Sequence, residues 1–488
     1  MTTASAVIAD NHALPFFFSA MNTKIFQISL DAFPRLPVKN VNDSKIESRE
    51  GCADSATMET ALARIQHCTN GKLELNHLGL TELPPIPEGV VELYCSHNHL
   101  TSLPPLPSSL RSIMCEHNQL TSLPELPSSV VSLACAHNHL TFLPFLPATL
   151  MIILCSYNRL TTLPELPHSL QGLHCSYNYL TSLPKLPPSL ESLRCIHNQL
   201  TSLPDLPSLK TMYCDHNQLT SLPELPSSMN TLHLSYNDVT VLPELLLLTT
   251  LDCTHNHLTA LPELPPSLEE LHCSHNQLTS LPFIPSSCQL LNCSYNQLTA
   301  LPELPLSLND CSCMHNRLTT LPPLPPALNL LTCCHNQLTS LPELPPLFRV
   351  LMCIGNRLMS LPPLPPMLQY LDCSKNNIQF LPSLPEGLIV LGCEENPLET
   401  FPELPPHLTT ITCDLPIDNS RLVLKNMTPE TVQSINQEVR YWMKVLAEES
   451  KVRCMARCAF YKEEIMMKAW HPKRIEMLID MGYDMEDI

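Results

Sequence analysis

LRSIMCEHNQLTSLPELP, Leu110 to Pro127, decides how the chain is read, because close variants of it return about every twenty residues from Leu73 to Asp414. Its first half alternates in the manner of a short strand, with Ile113 and Cys115 directed inward and Ser112, Met114 and Glu116 outward. Its second half, LPELP, cannot continue a strand or a helix, since proline removes a donor and fixes φ, and two prolines three residues apart suit polyproline II. One such unit buries too little apolar surface to offset the entropy of ordering it, whereas stacked units bury each other and share ladder hydrogen bonds. The expected fold is therefore an α/β repeat solenoid. It is a curved array with a parallel β-sheet on the concave face, polyproline II return legs and helical caps at both ends.

Working outward, the period organises most of the 488 residues. Residues 1–50 carry no repeat and read as a flexible leader, with a possible real start at Met21. The apolar run Ala13 to Met21 lacks a preceding basic residue and makes a poor secretion signal. Residues 51–71 read as a capping helix, with Met58, Leu62 and Ile65 on one face and Ser55 as N-cap. Residues 72–414 form the solenoid, of roughly seventeen turns at this period. Residues 415–488 read as a helical tail, starting at Thr428-Pro429 with Val432, Ile435, Val439, Trp442, Met443 and Leu446 on one face. A second helix is expected over 451–468 and a third from His471-Pro472, and the tail serves either as a cap or as an interaction module.

Fifty prolines against nine glycines would signal disorder in an aperiodic chain, but here they are in phase with the leucines. A net charge of −19 argues against nucleic acid or an anionic membrane as partner. No run is long enough to cross a membrane. Sixteen of the 23 cysteines occupy one inward strand position, from Cys95 to Cys413. A column of small, buried, free thiols suits a reducing compartment, although neighbouring strands lie close enough for disulfides under oxidising conditions.

Three further rows recur. Asn98, Asn118 and their equivalents to Asn396 form a ladder able to bond the backbone of adjacent turns. Immediately before it runs a row of His and Tyr, from His97 to His335. Imidazoles stacked that closely would resist joint protonation, and a metal-binding row is the functional alternative. Glu125, Glu165, Asp205, Glu224, Glu263, Glu303 and Glu343 line the return legs as a solvated acidic face. Two turns are one residue short, near Ser208 and at Leu245–Leu248, and Leu234 replaces a ladder cysteine, which points to a bend or a packing defect.

The outward strand residues vary, and they are the candidate protein-binding positions: Tyr94, Met114, His174, Arg194, Tyr213, His233 and His272. Tyr and His offer contact area with a polar tip. A merely tolerated surface is the competing interpretation. No nucleophile, base and orienting group come together outside the repeat positions, so no catalytic residue and no cofactor is assigned.

The unit LPELPxSLxxLxCxxNxLTxLP resembles the short, Pro-rich leucine-rich repeat of bacterial secreted effectors, including the leucine-rich-repeat ubiquitin ligases of enteric pathogens. In those ligases the resemblance implies substrate choice by the repeats and a CxD nucleophile in a larger carboxy-terminal domain. This chain departs from that pattern: Cys413-Asp414 lacks the spacer and Cys52-Ala53-Asp54 stands at the wrong end. Ligase activity is not transferred. The segments MMKAWHP, Met466 to Pro472, and MGYDMEDI, Met481 to Ile488, resemble the ends of leucine-rich-repeat proteins of giant DNA viruses of amoebae and algae. That similarity implies a viral protein in a host cytoplasm. The expected function is recognition of a host protein without chemistry, and the alternative is an adaptor that couples bound proteins to ubiquitin or other modification machinery through the tail.

Overall fold

The computed structural model describes residues 55–400, 402–414, 421–425 and 427–437. The leader of residues 1–50 and the helices expected beyond residue 450 lie outside the described residues. Each turn contributes one three-residue strand, from β1 (Lys72–Glu74) and β2 (Glu92–Tyr94) through β3 (Ser112–Met114) to β17 (Val390–Gly392). The central ones are β6 (Gly172–His174), β7 (Ser192–Arg194), β8 (Thr211–Tyr213), β9 (Thr231–His233), β10 (Thr250–Asp252) and β11 (Glu270–His272). Successive strands pair in parallel in an unbroken series as far as β18 (Thr410–Asp414).

The inward residue of each strand from β1 to β18 is sealed, as in Leu93, Ile113, Leu173 and Leu193, and the residue two positions on, a cysteine except at Leu75 and Leu234, is equally buried. The cysteines of the described residues are free thiols. Burial pushes Cys95 and Cys155 up to about 12 and raises Cys115, Cys135 and Cys175 as well, so these thiols behave as small core side chains rather than as nucleophiles.

Asparagine closes the corner after the strand. Asn118 Nδ2 donates to the carbonyls of Cys95 (3.0 Å), Cys115 (3.1 Å) and Glu116 (3.2 Å), while its Oδ1 accepts the Leu100 N–H at 3.0 Å. One side chain thereby satisfies backbone groups of two successive turns. A second ladder stands at the corner before the strand. There Ser129 Oγ donates to the carbonyls of Ser108 (2.8 Å) and Leu110 (2.6 Å), and Thr149 and Ser169 repeat the arrangement. This hydroxyl ladder was not anticipated, because Ser and Thr after Pro read equally well as plain turn residues.

Other expectations need correction. The two short turns leave no packing defect in the sheet, since Ser192 pairs with Thr211 and Thr231 with Thr250 in continuous register. The missing residue comes out of the corner ahead of the strand, and Leu209 and Leu248 still reach the core. Leu234 costs the ladder nothing, because its carbonyl, not a thiol, accepts from Asn237 (3.0 Å) and Asn256 (2.9 Å).

In the amino-terminal cap, α1 (Ser55–Gln66), the packed residues are Ala61, which is fully buried, with Ile65 and Cys68 against the core. Leu62, expected to face inward, is 43% exposed, because the small Ala61 lets the helix backbone approach the first turn. Arg64 Nη1 donates to the Glu74 carbonyl at 2.8 Å.

At the other end the tail begins not with a helix but with β19 (Arg421–Leu424), antiparallel to β18. RLVL supplies backbone partners to an edge that the last turn would leave open. A helix follows over residues 429–437, α2, with Val432 buried and Ile435 packed on the core as expected. Asn436 fastens it by exchanging two 2.8 Å hydrogen bonds with the Leu404 backbone.

Replacing Asn118 by Ala should lower stability by about 3 kcal/mol, because buried backbone groups of two turns lose their partners. The same change at Asn396, which is half-buried near the end of the array, should cost less. Chemical denaturation midpoints of the two variants check this, and equal losses would contradict it.

Candidate functional site

Two surfaces stand out among the described residues, the outward face of the sheet and the corner that follows it. On the sheet face the register sets His174 beside Arg194 and Tyr213 beside His233 on consecutive strands β6 to β9. The Arg194 guanidinium lies over the Tyr213 ring, 4.5 Å from its centroid, and the Tyr213 and His233 rings stack at 4.7 Å. His233 Nδ1 is 3.9 Å from Asp252 Oδ2 on β10. Burial, and then the Arg194 charge, push the His174 imidazole down to about 4, so it is neutral near pH 7. These four side chains are half-buried by one another rather than by the core.

The other candidate residues stand apart from this group. His272 is two strands beyond His233, with its Nε2 4.0 Å from Glu270 Oε2. Tyr94 donates its hydroxyl to Glu92 Oε2 (2.8 Å) and has Lys72 over its ring at 4.8 Å. Met114 lies between Tyr94 and Ala134 on the sheet and makes no contact with the central group by register.

Two elements of this face went unnoticed in the sequence. Asp215, just past β8, is 9% exposed and accepts both the N–H and the hydroxyl of Ser235 at 2.8 Å; burial pushes its carboxyl up. Toward the carboxy-terminal end the first outward strand position becomes apolar, with Leu290, Leu330, Val350, Tyr370 and Val390 half-buried and only Asp310 interrupting. The signal was available one residue ahead of the inward leucine, outside the single row that was followed.

At the corner, the His and Tyr row is a continuous column of rings. It begins one turn earlier than expected, at His77, and runs to His335 with centroids 3.8–4.4 Å apart and ring planes within 9–26°. Every one of these residues has φ between 51° and 56°, the left-handed region. Histidine is among the side chains that tolerate it best, and ring stacking of about 0.5–1.5 kcal/mol per pair helps to offset the strain. Gly355 takes the next position at φ 67°, where a Cβ would come within 2.6 Å of His335 Nδ1, so the column stops there. One turn on, Lys375 Nζ meets Glu395 Oε1 at 3.3 Å in the same positions.

Stacked rings direct their nitrogens side by side instead of toward one point. In keeping with that, no three His, Cys, Asp or Glu side chains among the described residues come together as a metal site. No helix of the described residues is long and apolar enough to cross a membrane.

A leucine-rich repeat family model matches residues 267–289. YopM from Yersinia enterocolitica is 37% identical, over 80% of this chain and 89% of that one, with a TM-score of 0.67. YopM of Yersinia pestis, described as a leucine-rich effector, is 35% identical over 74% of this chain and 95% of its own, with a TM-score of 0.49. A leucine-rich repeat protein of Leptospira interrogans, 23% identical over 67% and 95% with a TM-score of 0.50, shares the fold. No curated protein sequence matches the chain.

Burial, followed by neighbouring cations, lowers the imidazoles of His97, His137, His216, His275, His315 and His335 below their ordinary value of 6.5. The unfolded chain therefore binds more protons than the fold once the pH drops below about 6.5, and stability falls with pH from there downward. The thermal midpoint followed by circular dichroism should drop between about pH 7.5 and about pH 5.5. His97→Tyr with His137→Tyr, which keeps the stack but removes two titrating groups, should shrink that drop. Equal midpoints at both pH values would rule the effect out.

Proposed function

Because the chain belongs to the leucine-rich repeat proteins of the YopM type, we propose that it is a recognition module that binds a protein partner through the outward face of its parallel sheet. The binding centre is His174, Arg194, Tyr213 and His233, with Tyr94, Met114 and His272 as outlying contacts. The observation that carries this reading is the stack of guanidinium, phenol and imidazole across β7 to β9. None of these side chains serves the asparagine ladder, the hydroxyl ladder or the ring column, yet they pack on one another and are half-buried. Rigid aromatic and Arg side chains are the usual anchors of protein interfaces. The apolar row from Leu290 to Val390 extends the same face and adds area for a large partner.

In this reading the partner is a protein rather than a nucleic acid, as the net charge of −19 favours. We place it in the cytoplasm of a host cell. The likeness of the repeat to that of secreted effectors supports the host, and the likeness of residues 466–472 and 481–488 to viral repeat proteins supports a viral source.

A photo-crosslinking amino acid placed in the full chain at Leu154 or Asn292, on either side of the centre, should capture the partner from host cytosol. The same group at Glu165 or Glu263 on the return legs should not. Once the partner is in hand, replacing Arg194, Tyr213 and His233 together by Ala should weaken binding by about a hundred-fold or more. Crosslinks confined to the return legs would overturn the reading, and crosslinks confined to residues 438–488 would favour the adaptor alternative.

A further inference from the structure

Arg194 is a cation without a counter-ion on the sheet face. Among the described residues it enters no ion pair, and its Nε is sealed from solvent without a hydrogen-bond partner. The nearby charges are otherwise engaged. Lys210 Nζ holds Glu191 Oε2 at 2.8 Å, Asp252 faces His233, and Asp215 is taken by Ser235. Arg111, Arg159, Arg317, Arg349 and Arg357 are exposed, so water solvates them, whereas Arg194 is half-buried.

Building on the sheet-face reading above, we propose that Arg194 receives the carboxylate of an Asp or Glu side chain, carried on an extended segment of the partner protein that crosses the face over Gly172.

Tyr213 holds the guanidinium carbon over its ring at 4.5 Å, and with Nε sealed the edge formed by the two terminal nitrogens is left as donor to a planar acceptor. A carboxylate matches that edge with two parallel hydrogen bonds. His174, on the other side, is neutral near pH 7 and adds a hydrogen-bonding group without competing as a charge. Diagonal to Arg194, Gly172 opens the face: a Cβ there would meet nothing within 4 Å. The hydroxyls of Ser192 and Thr211, bonded to each other at 3.1 Å, border the same space. A phosphorylated side chain is a poorer match. It would bring a second negative charge beside Asp215 and Asp252, where no second unpaired cation stands among the described residues, onto a chain whose net charge is −19. The sheet continues on both sides of β7, so a segment can pass across, and a side-chain carboxylate is favoured over a chain end.

The test is selection of a displayed random-peptide library on the full chain, followed by affinity measurements with synthetic versions of the selected peptides. Wild type should select peptides that share an Asp or Glu. Changing that residue to Asn or Gln should weaken binding by about ten- to one-hundred-fold. Arg194→Gln, with its fold verified by circular dichroism, should bind the acidic and the amide peptides equally weakly, and Arg194→Lys should recover part of the difference. Peptides that lose binding on Tyr213→Ala with His233→Ala, yet carry no shared acid or bind Arg194→Gln as well as wild type, would overturn the carboxylate proposal and leave the sheet-face reading standing. Failure to select any peptide sensitive to Tyr213→Ala with His233→Ala would count against both.

Discussion

A coil that spends only three residues in each strand leaves most of its backbone at corners, where carbonyls and N–H groups point into the interior with no ladder partner. That shortage is the constraint on which everything else in this protein depends. The asparagine of each turn meets it at one corner by donating to carbonyls of its own turn and the turn before and accepting an N–H in return. To present the asparagine correctly the preceding residue adopts a left-handed backbone, and the row of His and Tyr rings is the consequence. The stacked column, conspicuous as it is, follows from closing the corner. At the opposite corner Ser and Thr hydroxyls do the corresponding work with shorter reach. Two ladders and one column therefore claim the same positions in turn after turn, and those positions are closed to functional variation.

The repeat made the solenoid legible in the sequence for a physical reason: at a fixed period, one residue type at one position can serve one role only. Ile113 in, Met114 out and Asn118 at the corner follow from alternation and spacing, and the register carried to β17 unchanged. The short turns near Ser208 and Leu245 misled because spacing says that a residue is missing without saying where slack exists to absorb it. The antiparallel β19 was missed for the related reason that RLVL has no periodic context, and only the open edge of β18 explains it. Conformation at a single residue is the other blind spot. Nothing in the letters His or Tyr announces a positive φ, although Gly355 in the same column was a clue of the right kind.

Much less of the candidate site could be read in advance. The outward residues do align across the sheet, but sequence spacing could not distinguish Tyr94, tied to Glu92 and Lys72, from Tyr213, stacked between Arg194 and His233. Both are tyrosines at one position of the repeat. The difference lies in the neighbouring strands, where a guanidinium can lie on one ring and a carboxylate accepts from the other. Asp215 escaped notice because its position is held by Ser in many turns, and a carboxylate there becomes informative only once it is seen to be buried.

Those exceptions share a physical character. A solenoid with consistent local choices has no need to bury a carboxylate at Asp215, to depress the His174 imidazole or to seal one nitrogen of Arg194 without a partner. Each opposes stability, since desolvating a charged or polar group costs free energy unless it is paired. The repeat offers a neutral choice at each place, as Ser, Thr and Ala show in the equivalent positions of other turns. Local departures from consistency that persist against such easy alternatives are where function is expected. Single departures occur in other turns too, as at Glu116 and Asp372, whose carboxyls burial pushes up, but from β6 to the end of β8 three of them stand on adjacent strands.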